Sequence, residues 1–118
     1  MKVAIAKVFR MTKSELRHEC INLISVVGNN LHGDEDFVLE RLADHIGEDL
    51  ALIYPRTLNA DEKEMIELEN SLTDEDIRII LKHFGGYLIA SKLRDFSLSA
   101  IVDAFDDCEE ESFVQFLR

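Results

Sequence analysis

Thr12-Lys13-Ser14-Glu15-Leu16-Arg17-His18-Glu19-Cys20-Ile21-Asn22-Leu23-Ile24-Ser25-Val26-Val27-Gly28-Asn29-Asn30 holds a start signal, an apolar stripe and a stop signal in that order. Thr12 and Glu15 stand in the capping-box arrangement, where a hydroxyl and a carboxylate each satisfy an amide donor at a helix start. Leu16, Cys20, Leu23 and Val27 recur at spacings of four, three and four, with Ile21 and Ile24 beside them. That period lays an apolar stripe along one side of a helix. Gly28-Asn29-Asn30 offers residues that tolerate a left-handed exit. The pattern predicts a helix over 13–27.

Toward the C-terminus, Asp34 is placed to cap a second helix, and Glu35 and Asp36 favour the positive end of its dipole. Leu39, Leu42, Ala43 and Ile46 form its expected inner face, flanked by Phe37 and Val38, until Gly47 interrupts it. A short helical piece over 49–54 is expected to stop at Pro55. Asn59 and Glu62 repeat the capping-box spacing and open a segment over 60–70. Its large apolar residues are Met65, Ile66 and Leu68 alone, surrounded by Asp61, Glu62, Glu64, Glu67 and Glu69. Few packing contacts can hold such a segment, so it is expected to be the most exposed helix.

Thr73 opens the most hydrophobic stretch. Ile77, Ile79, Ile80, Leu81 and Phe84 cover more than one face, which marks a central, nearly enveloped helix. Gly85-Gly86 is expected to kink or end it, with Tyr87, Leu88, Ile89, Leu93 and Phe96 continuing the apolar pattern. Ser97 or Ser99 then caps a short helix carrying Leu98, Ile101, Val102 and Phe105, and Phe113, Val114, Phe116 and Leu117 are spaced to dock a last one. Before Thr12, Val3, Ile5 and Phe9 alternate as a strand would, but no partner strand is evident. One strand alone is unstable in water, so a short helix or docked arm is expected. The fold class is all-α: a single domain over 1–118, built as an irregular bundle of about six or seven helices.

The chain has 118 residues, enough for one domain. Leu, Ile, Val and Phe supply a third of it, well above the level of a disordered polymer. Two cysteines, Cys20 and Cys108, are too few for a disulfide scaffold. The first ten residues make a poor signal peptide, and no window approaches the ~20 apolar residues of a membrane helix. A cytoplasmic protein without membrane attachment is the expectation.

The net charge is −11. A duplex-binding protein draws most of its affinity from neutralised phosphates, so nucleic acid is an unsuitable partner; a basic protein is a suitable one. The charge is also blocked: residues 1–33 sum to +3, 34–76 to −12, 77–102 to +3 and 103–118 to −5. Either basic segments pack against acidic ones within the fold, or the acidic blocks form a face.

Catalytic chemistry is hard to assemble from these residues. Asp103, Asp106, Asp107, Glu109, Glu110 and Glu111 crowd six carboxylates into nine positions, yet lack the glycine and spacing of a calcium loop. His18, His32, His45 and His83 fall in no zinc-binding pattern. Lys82-His83-Phe84-Gly85-Gly86 resembles the exposed-histidine helix of phosphotransfer bundles, where glycine four positions on leaves the imidazole open. Here that position is Tyr87. Residues 73–105 can also be drawn as a helix-turn-helix with Arg78, Lys82, Lys92 and Arg94 toward phosphates, but its second helix is poor in base-reading side chains. The expectation is a protein that is not an enzyme and holds no metal or cofactor.

What remains is a weakly packed helix crowded with carboxylates around a small apolar spot. Asp61, Glu62, Glu64, Met65, Glu67, Glu69, Asp74, Glu75 and Asp76 form the candidate partner-binding surface, and the 103–111 carboxylates a second candidate. In size, acidity, helix content and the 61–76 carboxylate run, the chain resembles the small acidic immunity proteins of bacterial toxin–immunity systems, contact-dependent inhibition systems among them. The resemblance implies a cytoplasmic, non-catalytic inhibitor of a basic toxin nuclease. An acidic adaptor is the plainer alternative, and the oligomeric state stays open.

Overall fold

Side-chain caps set where the longer helices begin. The structure, a computed structural model, describes residues 4–104. These form α1 (Ala4–Val8), α2 (Lys13–Asn30), α3 (Glu35–Ile46), α4 (Glu48–Ala51), α5 (Ile53–Thr57), α6 (Glu62–Ser71), α7 (Asp74–Ala90) and α8 (Leu98–Ala104). Each of the four longest starts on a cap that accepts from an amide otherwise left without a partner. Thr12 and Glu15 exchange bonds of 3.1 and 3.2 Å at α2. Asp34 Oδ1 accepts from the Phe37 amide at α3, and Asp61 Oδ1 from the Glu64 amide at α6. Thr73 and Asp76 make a second reciprocal box at α7.

The fold is all-α, with no strand among the described residues. α2 and α7 pack side by side at its centre. Cys20, Ile21 and Ile24 from α2 and Ile77, Ile80, Leu81 and Ile89 from α7 have no solvent exposure. α3, α5 and α6 pack around α2, α4 lies on α3 and α5, and α1 pairs with α8. Ala4–Val8 thus form a short docked helix, as expected of the stretch before Thr12. Ile5 is fully buried, and Phe9 meets Phe96 edge to face at 4.7 Å, the geometry favoured by ring quadrupoles.

Several boundaries differ from the sequence expectation, each for a local reason. α2 does not exit at Gly28 but runs to Asn30, and its cap Leu31 is extended rather than left-handed. Gly28 serves a different purpose, because a Cβ there would fall on the ring of Tyr54. The same ring sends its hydroxyl to Asn29 Oδ1 at 2.8 Å, so the glycine is a seat for the tyrosine. Pro55 does not stop a helix; it lies inside α5. A proline in the first turn loses no bond, but its ring clashes with the carbonyl four residues back. The break therefore falls ahead of it, at Leu52 between α4 and α5.

α6 begins at Asp61 rather than Asn59, where a carboxylate both caps and complements the dipole. α7 does not end at Gly85-Gly86: both glycines are buried and the helix continues to Ala90. Two helical glycines cost about 1 kcal/mol each, and burial of Phe84, Leu88 and Ile89 around them offsets that. Ser97 is the residue that caps α8, accepting from the Ala100 amide at 3.3 Å. Phe105 and the expected final helix lie outside the described residues.

Candidate protein-binding site

α6 is joined to the core by very little. Leu68 is its one buried residue, and Met65 is half-buried against the core. At 100° per residue, the opposite side of the helix presents Lys63, Ile66, Glu67 and Asn70, with Glu62 and Glu64 on its flanks. Glu62, Glu64 and Glu67 are exposed, and Ile66 keeps 49% of its surface in water. The segment is therefore as open as expected, with one lysine among its carboxylates.

The rest of the predicted surface divides in two. Glu75 is exposed. Asp74 instead pairs with Lys13 Nζ at 2.8 Å, and that hydrogen bond, chiefly, holds its carboxyl below the usual range. Glu69 bonds to His18 Nδ1 from the same side of the bundle. Asp76 spends one oxygen on the Thr73 amide and Asp61 one on the Glu64 amide. The basic segment 1–33 thus engages the inner edge of the acidic block through α2, while the outer edge faces solvent. Of the second candidate, Asp103 is exposed near the end of α8; Asp106, Asp107, Glu109, Glu110 and Glu111 lie outside the described residues.

A second acidic feature was not among the predicted site residues. Beside α3 runs an open groove of about 370 Å³ with Leu39, Ala43, Ala51 and Leu52 as its apolar floor. Glu40, Asp44 and Glu48 stand along it, and all three are exposed. The four-residue spacing of Glu40 and Asp44 was the available signal, since i, i+4 positions share a helix face; Glu48 lies beyond the Gly47 break, on α4. Glu48 also lines a neighbouring concavity of about 380 Å³ with Asp49, Asp76, Ile46, Leu50 and Ile79. Through Glu48 and Asp76 the carboxylates of α3 and α4 approach the start of α7.

His83 is half-buried on α7, its ring 5.8 Å from that of His45. Cys20 is fully buried, and desolvation pushes its thiol up to about 12. Among the described residues no three His, Cys, Asp or Glu side chains are grouped to hold a metal ion, and no helix is long and apolar enough to cross a membrane. No family model matches the chain, and neither a curated protein nor a solved structure does.

Proposed function

We propose that this chain is a non-catalytic protein-binding inhibitor that uses its acidic surface to occupy a basic partner, the nuclease domain of a toxin, as an immunity protein does. The observation that carries the reading is α6: a helix with one buried residue whose Glu62, Glu64 and Glu67 all stand in solvent, with Glu62 one turn from the exposed Ile66. Those carboxylates contribute nothing to the core; Glu62 and Glu64 complement the first turn of α6, and all three are exposed to an approaching partner. Long-range attraction speeds encounter with a basic surface, and a small apolar centre retains it. A carboxylate row in a phosphate-binding groove excludes nucleic acid without any chemistry.

The test is to establish whether the gene beside this one encodes a basic toxin nuclease domain and, with that domain, to run calorimetry while reading nuclease activity in parallel. Reversing Glu62, Glu64 and Glu67 to lysine is expected to weaken binding by roughly a hundredfold and to restore nuclease activity, with the thermal midpoint nearly unchanged. Unaltered affinity in the reversed variant would reject α6 as the interface. A lowered midpoint would assign those groups to the fold instead.

A further inference from the structure

We propose that the groove beside α3 is a docking pocket for an arginine side chain of a basic protein, separate from the α6 surface. The inference rests on the reading above that the partner is a basic protein, and adds where on this chain one of its cations is held.

Two independent features of the groove agree on that occupant. Its floor is aliphatic, from Leu39 and Ala43 on one side and Ala51 and Leu52 on the other, and Leu52 keeps 54% of its surface exposed. Leu52 caps the α4–α5 junction through its backbone, and its side chain is left over, adding little to the core. The rim is anionic, with Glu40 and Asp44 one turn apart on α3 and Glu48 opening α4; among the described residues no base lines it. A purely apolar ligand would desolvate three carboxylates for no return, and a small metal ion would leave the floor bare. A side chain with a long methylene stem and a charged head satisfies both.

Arginine suits the site better than lysine. Its planar guanidinium presents five donors in a fork that matches carboxylate pairs, and it is more weakly hydrated than an ammonium. At about 370 Å³ the volume is at the small end for ligand pockets, which favours one or two side chains over a larger molecule. The α3–α4 junction keeps the rim in place. Asp34 caps α3, and Gly47 at φ 91° turns the chain sharply so that Glu48 begins α4 beside Asp44.

The experiment uses the full chain, isotope-labelled, titrated with an acetylated oligo-arginine peptide at physiological salt and followed by amide shifts. The expected result is saturable shifts across 39–52, stronger for oligo-arginine than for oligo-lysine and absent for the neutral citrulline peptide. The Glu40→Gln, Asp44→Gln double variant is expected to weaken binding by roughly tenfold, with its spectrum otherwise intact. A Glu62→Gln, Glu67→Gln variant should leave the peptide affinity at this groove unchanged. Shifts confined to α6 would overturn the groove proposal and leave the basic-partner reading standing. Absence of saturable shifts anywhere would overturn both.

Discussion

Replacing Gly28 by alanine asks whether that glycine is a helix stop or a seat for Tyr54, and the two readings differ in sign. Gly28 is helical and buried, and in an unobstructed helix interior alanine would gain about 1 kcal/mol over glycine. Here the new Cβ lands on the Tyr54 ring, and overpacking of that kind costs about 1–3 kcal/mol. If the ring withdraws instead, the bond to Asn29 is lost, a further cost of about 1 kcal/mol. The balance is a destabilisation of about 1–3 kcal/mol, or roughly 4–12 °C in midpoint for a domain of this size. Urea and thermal unfolding followed by circular dichroism read it directly. The decisive arm is Tyr54→Ala, which costs about 3–5 kcal/mol by itself. In that background Gly28→Ala is expected to stabilise by about 1 kcal/mol, because only the helix term survives. A Gly28→Ala variant more stable than the parent with Tyr54 present would refute the seat.

Three further outcomes follow from single features. Gly47→Ala meets no atom within 4 Å but inherits φ 91° and ψ 160°, so backbone strain alone should lower stability by about 1–3 kcal/mol in a urea titration. Cys20, buried with its thiol raised to about 12, should react with a thiol reagent only as fast as the fold opens, and at full rate in denaturant. Glu15 and Asp74 titrate below their ordinary values, Glu15 through the Thr12 backbone bond first and Asp74 through Lys13 first. A depressed folded value means that their contribution is complete above the unfolded value and vanishes as pH falls through the folded one. Glu15→Ala, which removes the titrating carboxylate, should therefore cost more at neutral pH than below the carboxylate range, in urea midpoints measured across that interval.

How much could be read from the amino acids alone varied with the physics of each feature. Local chemistry was readable. Thr12 with Glu15 started α2, Asp34 started α3, and the one-sided poverty of apolar residues in α6 foretold its exposure. What escaped depended on neighbours distant in the chain. Gly28 has the composition of an exit, and only the arrival of Tyr54 from α5 makes it an interior residue. Gly85-Gly86 looks like a break, and only burial on both sides lets α7 pass through. The candidate surface behaved likewise. The openness of Glu62, Glu64 and Glu67 was predictable from their own helix, whereas Lys13 and His18 came from elsewhere to engage Asp74 and Glu69. Glu40 and Asp44 shared a period that sequence could have revealed; Glu48 and the hollow beside them required α4 to fold back on α3.

That α6 is fastened through Leu68 while α2 and α7 share a dense centre divides the molecule into parts of unequal permanence. Amide protons of α6 should exchange with deuterium through a local opening of low free energy, and those of α2 and α7 only on global unfolding. A macromolecule settling on α6 would then announce itself as a slowing of exchange in this one helix, even if no atom of the interior moved.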